Sequence, residues 1–596
     1  MKLLRLKITD PAGFRSLPCG FEHHFRTEWN LRDELNHSEG FAPFVCAGPN
    51  GSGKSNLLEA LAAIFFQLEV LRVRRGFLPN ALLDARQILS PAAFELDYLI
   101  QMPHEFIRPN GLKWAEIRVI RNLGEPVDFL WQNSSEFDSD VVDASKAEHA
   151  DIVLPHYVMG YSSGENEVLS LPFFKMRFVQ FDEYWNALTQ QVSYPGHPES
   201  RLAYLDNGFS QAILLCNLLF QDEATLRPFR EDVGIEELQE FRIIIRRSIR
   251  LENDQLATFA SEDENQHQSL EELVNSNPAL YEDIDAAGIN HYRLNLMHLL
   301  EGDEKSALMV SALTRCATLH YVDEATDTLL LDYWVNDETK QAFRQNFSGS
   351  PLTLFQAFQV LLTLNLYTVS SALKTDLYRS TSNYVSETVP TLASDERIMR
   401  FKFVRFSKHG VEESIMLKDL SDGEHQLLHS LGLCLLFRDT NSLFLLDEPE
   451  THFNPDWRAN FITRLSQCLP NTGNVGQEML ITTHTPFLIS DSKPEKVLVF
   501  AKDKTNGAVS ISQPNYNTLG ASINKITMST FGKRETIGGH AHALLEKFRA
   551  RFELGTEDKK ALITEIDQQL GDSVEKLLLI KAILDDDPQG KDKLHS

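Results

Sequence analysis

Residues 48–55 read GPNGSGKS and match the pattern G-x-x-x-x-G-K-[ST] in full. An apolar run suited to a buried strand (41–47) precedes them, and a helix-forming run (56–69) follows. Glycines let backbone N–H groups surround phosphate oxygens, and a helix N-terminus adds a positive end. Lys54 is expected to reach the β- and γ-phosphates of ATP, and Ser55 to ligate Mg²⁺. The residues predicted to hold the nucleotide here are Gly48, Pro49, Asn50, Gly51, Ser52, Gly53, Lys54, Ser55 and Asn56.

The acids that such a site needs come almost four hundred residues later. SLFLLDE (442–448) is an apolar strand pattern that ends in Asp447 and Glu448. The first acid after such a strand can hold Mg²⁺ through water, and the second can polarise the attacking water. Ligands bind at the carboxyl ends of parallel strands, so we expect these acids beside Lys54. Ser55 and Asp447 are therefore the predicted metal ligands, and Glu448 and Lys54 are predicted to be catalytic.

The bulk composition limits the classes of function. The chain has 596 residues, 42% of them hydrophobic, a formal net charge of −27 and a pI near 5.2. A body this acidic restricts nucleic-acid contact to a local basic patch. Six cysteines without a C-x-x-C pair predict reduced, buried thiols. The uncharged run between 344 and 374 carries many polar residues and predicts a buried helix, so we expect a cytoplasmic protein with no membrane span.

The order of patterns predicts an α/β fold whose nucleotide-binding domain is split by an insertion. Strand patterns and one strong helix fill residues 1–182, and long helical patterns dominate 183–395. Strand patterns return over 396–515, and 516–596 is again helical. We therefore predict an N-terminal half-domain, a helical insertion, a C-terminal half-domain and a C-terminal helical region.

Two further stretches carry a family resemblance. LSDGEHQ (420–426) precedes Asp447, and MLITTH (479–484) ends in a histidine, His484. The sequence resembles ABC-type ATPases of the SMC/RecF branch. Those proteins have, in the same order, a phosphate loop, an LSGGQ-like signature, a strand with paired acids and a switch histidine. FRSL (14–17) and DEPETHFNP (447–455) are similar to segments of the same branch.

The resemblance implies a mechanism. Heads of this branch pair face to face around two ATP molecules, so the chain is expected to dimerise. Ser421, Gly423 and Glu424 of one subunit would then lie at the γ-phosphate bound by the other, and His484 would sense that phosphate as a catalytic residue. The segment 450–454 would follow the dimer seam. The signature departs from that of transporters at Asp422 and Glu424, and the Q-loop glutamine has only a weak candidate, Gln180.

A finer resemblance concerns YSSGENE (161–167), the continuation of the acidic motif to Arg458, and INKITMSTFGKRE (523–535). These stretches are similar to PtuA-like ATPases of Septu and retron-associated anti-phage systems. That implies a PtuB-like HNH nuclease as partner and, in retrons, a reverse transcriptase with its msDNA, a branched RNA–DNA. The chain itself shows no nuclease site, since the sole Asp-x-Asp spacing after His484 lies in the acidic run 585–587. The alternative is a RecF- or SMC-like DNA repair ATPase that clamps DNA directly.

One basic cluster leaves two interpretations open. Arg242, Arg246 and Arg250 recur every four residues and would form one ridge on a helix. Such a ridge is either a phosphate-binding track or a solvated face paired with nearby glutamates.

Overall fold

The structure is a computed structural model of the full chain. It describes every residue except 37–40, 74–77, 79–81, 83–88, 110, 138–149, 164–166, 195–196, 205, 207, 252, 257–258, 260–269, 285–287, 382–388, 390–391, 470–475, 534–536 and 586–596. Parts of two resembling stretches (164–166 and 534–535) and two acids of the run 585–587 therefore lie outside the described residues.

Twenty strands form four sheets within the described residues. In chain order they are β1 (Lys2–Ile8), β2 (Glu22–His24), β3 (Phe44–Ala47), β4 (Phe94–Gln101), β5 (Trp114–Arg121), β6 (Val127–Trp131), β7 (Tyr157–Ser162), β8 (Leu202–Tyr204), β9 (Ile235–Arg246), β10 (Ser248–Leu251), β11 (Leu280–Ile284), β12 (Asn290–Asn295), β13 (Leu319–Asp323), β14 (Thr328–Trp334), β15 (Met399–Lys408), β16 (Ile415–Met416), β17 (Ser442–Asp447), β18 (Glu478–Thr483), β19 (Val497–Lys502) and β20 (Val509–Ser512).

Helices cover much of the remaining described chain. They are α1 (Glu28–Asn36), α2 (Lys54–Val70), α3 (Ala150–Val153), α4 (Ser170–Thr189), α5 (Ser210–Phe220), α6 (Asn253–Leu256), α7 (Leu270–Ser276), α8 (Leu296–Gly302), α9 (Glu304–Cys316), α10 (Asp337–Asn346), α11 (Pro351–Thr363), α12 (Ser371–Arg379), α13 (Asp422–Leu436), α14 (Pro455–Cys468), α15 (Pro486–Ser490), α16 (Ile523–Thr530), α17 (Gly539–Leu554), α18 (Lys559–Gln569) and α19 (Val574–Asp585).

A seven-stranded sheet positions the predicted site. Its order is β20-β19-β3-β18-β17-β7-β8, and every neighbouring pair is parallel except β19 with β20. Strands β3, β17 and β18 are adjacent, so their carboxyl ends bring residues from 47, 447 and 483 to one edge. The two halves of the sequence therefore build one sheet, as the split-domain prediction requires.

Both faces of this sheet are buried, because alternate residues of β3 enter different cores. Phe44 and Cys46 pack with α2 and with the antiparallel sheet β2-β1-β4-β5-β6. Val45 and Ala47 join the larger core on the opposite face, which includes α5, α13 and the insertion. Helix α2 is buried almost all round, as its apolar sequence predicts.

The segment 183–395 contains the expected long helices and, in addition, strands β8 to β14. Strand β9 pairs with β14 and with β15, so the sheet β13-β14-β9-β15-β16 joins the insertion to the C-terminal half-domain. The predicted boundary at 182 falls inside the continuous helix α4, whose apolar pattern runs through it. That boundary is therefore wrong, whereas the one at 395 falls just before β15.

The arginine cluster does not form a helical ridge. Arg242 and Arg246 lie on β9, and Arg250 lies on β10 in a different sheet. The physical reason is the run FRIIIRRSIRL, whose β-branched residues favour a strand. The inward-facing residues Ile243 and Ile245 alternate with the arginines.

The C-terminal region is helical, as predicted, and α17 to α19 share a small core of their own. Five of the six cysteines are buried and Cys19 is exposed, and none forms a disulfide. Within the described residues no single helix is long and apolar enough to cross a membrane. One pair bent by 109°, Pro351–Thr368 with Ser371–Arg379, passes that test by length and composition alone.

Candidate functional site

The loop after β3 has a backbone that demands glycine at two positions. Gly48 has φ +144°, and a Cβ there would lie 2.5 Å from the carbonyl oxygen of Phe500. Gly53 has φ +97°, and a Cβ there would lie 2.9 Å from the Ser16 hydroxyl oxygen and 3.0 Å from a methyl group of Val509. Both conformations are costly for any other residue, which accounts for the glycines of the motif.

Lys54 begins α2 and folds over this loop. Its ammonium donates to the carbonyl oxygens of Gly48 (3.1 Å) and Pro49 (3.2 Å). Burial lowers the pKa of Lys54, although Glu448 and Asp447 nearby oppose that shift. The ammonium is thus held inside the loop, where a phosphate would take the place of the carbonyl oxygens.

Ser55 and Asp447 meet as predicted. The Ser55 hydroxyl donates to Asp447 Oδ1 at 2.7 Å, and Thr482 donates to the same oxygen at 2.6 Å. Burial raises the pKa of Asp447, so its carboxylate is poorly stabilised by its protein surroundings. A hydroxyl and a buried carboxylate this close are oxygen ligands of the kind that Mg²⁺ prefers.

The loop also contains an unpaired polar atom that suits a nucleotide. The Ser52 hydroxyl is buried and has no hydrogen-bond partner among the described residues. A buried hydroxyl without a partner costs stability, and a phosphate oxygen would satisfy it. The residues present therefore fit ATP with Mg²⁺.

Glu448 and His484 form the second half of the site. His484 Nε2 lies 2.7 Å from Glu448 Oε1, and this hydrogen bond is the main reason why the pKa of Glu448 is lowered. Glu448 has φ +50°, and its N–H is held by the carbonyl (3.2 Å) and hydroxyl (3.0 Å) oxygens of Thr482. Such a strained backbone persists where neighbouring bonds enforce it, which is typical of active sites.

The signature residues stand at the N-terminus of α13. The Ser421 N–H donates to Glu424 Oε2 at 2.8 Å, and the Glu424 N–H faces the Ser421 hydroxyl, so the pair is a capping box. A Cβ on Gly423 would lie 2.7 Å from the carbonyl oxygen of His452, so only glycine fits. Within the described structure, the side chains of Ser421 and Glu424 form hydrogen bonds with each other and with Lys408. Contact of Ser421, Gly423 and Glu424 with a nucleotide therefore stays a prediction.

Gln180 is placed away from the phosphate loop. It lies on α4, donates to Tyr194 (3.2 Å) and to the His197 carbonyl (2.9 Å), and borders the same cavity as Glu69. Glu69 is fifteen residues beyond Lys54 on α2, a distance of about 22 Å. Gln180 is therefore wrong as a Q-loop candidate, because α4 presents it at the far end of α2.

One residue of the site was not singled out as catalytic machinery from the sequence. Glu450 is only 3% exposed, and burial raises the pKa of its carboxyl group to about 7. Its Oε1 accepts a short hydrogen bond from Thr483, the residue before His484. A threonine pair within the buried strand pattern of MLITTH is the signal that could have pointed to it, because buried hydroxyls need partners.

The fold and the site together define an α/β P-loop nucleotide-binding domain, with its two halves separated by an insertion. That assignment rests on the parallel sheet, on the phosphate loop that opens a helix, and on the two acids at the end of β17, one strand removed from β3.

Comparison with known proteins agrees at this level. Residues 392–490 match the family described as "AAA domain, putative AbiEii toxin, Type IV TA system", and the matched span contains the signature, Asp447, Glu448 and His484. The chain is similar to Protein ea59 of Escherichia phage lambda, with 23% identity over 190 residues. That match covers 32% of this chain and about a third (34%) of the phage protein.

Among solved structures, the chain is similar to one titled "Crystal structure of the SmcHead bound to the C-winged helix domain of ScpA". The alignment covers 86% of this chain and 97% of that one, with 12% identity and a TM-score of 0.29. A TM-score of this size is too low to establish a shared fold.

Proposed function

We propose that the protein binds ATP with Mg²⁺ at residues 48–56 and hydrolyses it. The observation that carries the proposal is the meeting of Ser55 and Asp447 at 2.7 Å beside the Glu448–His484 pair. Mg²⁺ held by Ser55 and Asp447 would neutralise charge on the phosphates. Lys54 binds the phosphates, and the backbone N–H groups of the loop orient them.

Glu448 acts as the general base in this proposal. Its lowered pKa keeps it ionised at neutral pH, so it can accept a proton from the attacking water. His484 holds Oε1 of Glu448 in place through their hydrogen bond. Loss of the Lys54 ammonium should abolish nucleotide binding, whereas loss of the Glu448 carboxylate should leave binding intact.

A second copy of the chain completes the site. Ser421 is exposed at the positive end of a 15-residue helix, where a phosphate held by another subunit can reach its hydroxyl. We expect ATP-dependent dimers in the Glu448→Gln variant, measured by light scattering after gel filtration. Lys54→Ala is the matched control and should stay monomeric under the same conditions. ATP-independent elution of both variants would contradict the dimer model.

The dimer is proposed to regulate a PtuB-like HNH nuclease in anti-phage defence and, where the locus is a retron, to act with reverse transcriptase and msDNA. The resemblance over 447–458 supports this, and the matched family's description names a putative toxin of a toxin–antitoxin system. The test is to express the chain with its neighbouring genes and to identify co-purifying proteins and nucleic acids. A small HNH protein is the expected result. A chain that purifies alone and gains ATPase activity with gapped DNA would instead favour the repair alternative.

A further inference from the structure

The sheet that joins the insertion to the C-terminal half-domain has a solvent-facing surface that the proposed ATPase site does not use. It is the outer face of strands β13, β14, β9 and β15, whose inner face packs into the large core through residues such as Phe241, Ile243 and Tyr333. The strand register fixes which residues share the outer face, because residues paired directly across an antiparallel sheet point the same way. Arg242 is opposite Asp332 and Phe403, and Asp332 is opposite Leu319.

Aromatic rings are exposed across this outer face. Trp334 is 68% exposed and Tyr321 is 41% exposed, although both lie within a sheet. Phe403 lies between two guanidinium groups, with Arg242 5.6 Å and Arg405 5.0 Å from its ring centroid. Phe403 and Tyr321 are on strands three spacings apart, or about 14 Å, and in rows two residues apart along the strands, so about 16 Å separates them. That distance spans about five nucleotides at the stacked rise of about 3.4 Å.

The charge of the face is opposite to that of the protein. In the part of the face that lies level with residues 240–246 of β9, five cationic side chains and three carboxylates share the face or its bulge, an excess of two positive charges, whereas the whole chain carries −27. These residues are Arg242, Arg246, Arg400, Lys402, Arg405, Glu240, Asp323 and Asp332.

Two of the ion pairs on the face fix the arginines beside Phe403. Arg405 donates to Glu240 at 2.7 Å, and Arg242 makes two hydrogen bonds to Asp332. Each guanidinium plane is therefore held before any ligand arrives, which lowers the entropy cost of binding. Arg405 keeps a side chain that is 42% exposed, so it can still meet a phosphate.

We propose that this outer face binds single-stranded nucleic acid. Exposed aromatic rings on an open antiparallel sheet stack on unpaired bases, and interleaved arginine and lysine residues track the backbone. A duplex would bind less well, because its bases are already stacked and a flat sheet cannot enter a groove. The proposal is independent of ATP hydrolysis, so Lys54→Ala should bind oligonucleotides as the wild type does.

The test is fluorescence anisotropy with the full chain and labelled 20-nucleotide mixed-sequence DNA, RNA and duplex DNA, at 50 to 200 mM salt. The test variant Trp334→Ala removes an exposed ring, and Trp29→Ala is its control because Trp29 is 75% exposed on α1. We expect about tenfold weaker single-strand binding for Trp334→Ala and no change for Trp29→Ala. The DNA and RNA arms distinguish which strand is preferred.

Charge is tested separately. Log K falls as log salt rises, and Lys402→Glu should make this slope less steep by about 0.7, the value for one lost phosphate contact. Lys547→Glu, on the exposed side of α17, should leave the slope unchanged. Equal binding by Trp334→Ala, Lys402→Glu and wild type would refute the proposal, as would a preference for duplex. Loss of a co-purifying protein from Trp334→Ala with oligonucleotide binding unchanged would also refute it and assign the face to a protein partner.

Discussion

Glu448→Gln is the sharpest test of the proposed chemistry, because it removes the proposed general base and keeps the hydrogen bonds around it. Glutamine has the same shape, can keep the hydrogen bonds that the backbone N–H donates to Thr482, and can accept a hydrogen bond from His484 through its amide oxygen. Only the capacity to take a proton from water is lost. A positioned general base contributes about 10²–10⁴ in rate, or about 3–5 kcal/mol of barrier.

The expected result is a loss of ATP turnover by at least a hundredfold, with nucleotide affinity within about threefold of the wild type. Phosphate release under saturating ATP measures the first, and titration with a fluorescent ATP analogue measures the second. An unchanged melting temperature would show that the strained backbone at Glu448 is kept. Turnover above a tenth of the wild-type rate would refute the assignment of Glu448 as the base.

Three further substitutions test other parts of the site and its scaffold. Gly48→Ala would place a Cβ 2.5 Å from the Phe500 carbonyl oxygen at φ +144°, so we expect a loss of about 1–3 kcal/mol in stability and weaker ATP binding, measured by thermal melting and nucleotide titration. Ser55→Ala removes a predicted Mg²⁺ ligand, and the Mg²⁺ concentration for half-maximal ATPase activity should rise at least tenfold. Glu478→Gln removes one of the two carboxylates that pair with the buried Arg26 and leaves Glu34 as the other, so we expect a cost of about 1–3 kcal/mol in the free energy of unfolding. Burial opposes ionisation of Glu478, but Arg26, Lys2 and Lys496 together outweigh burial and lower the pKa of Glu478 to about 2 from an ordinary 4.5. Its stabilisation should thus be complete above pH 4.5 and lost as the pH falls toward 2, so the melting temperatures of variant and wild type should converge in that window.

The sequence predicts the phosphate loop and the paired acids well, because each is a local pattern. A strand, a glycine loop and a helix are contiguous at 44–70, and an apolar strand ends in acids at 447 and 448. Their meeting follows from one general rule, that parallel strands present their carboxyl ends together. The observed order of β3, β18 and β17 agrees with that rule, although Thr482, which binds Asp447, lies on the strand between them.

Other features could not be read from spacing. Arg242, Arg246 and Arg250 are four residues apart, which suits one helix face but also one strand face, since four is a multiple of the strand period of two. The pairing of β9 with β14 and β15 shows that this segment is a strand, and that pairing joins residues as far apart as Ile235 and Lys408. Long-range pairing of this kind leaves no local signal, so the sheet face emerges only from the fold.

Glu450 links the proposed dimer seam to the strand end that bears His484. Glu448 contacts His484, and two residues later Glu450 accepts a hydrogen bond from Thr483, so two consecutive contacts link the segment after β17 to the end of β18. Arg458 holds the same segment from α14 by donating to the carbonyl oxygens of Glu450 (3.3 Å) and Thr451 (2.8 Å). If this segment moved and the end of β18 did not, the buried Glu450 carboxyl group would lose its hydrogen bond to Thr483, at a cost of about 1–3 kcal/mol. A partner subunit that presses on residues 450–454 would therefore move Glu448 and His484 together. Moving the two together keeps the hydrogen bond between Glu450 and Thr483 and so costs less free energy than moving one alone.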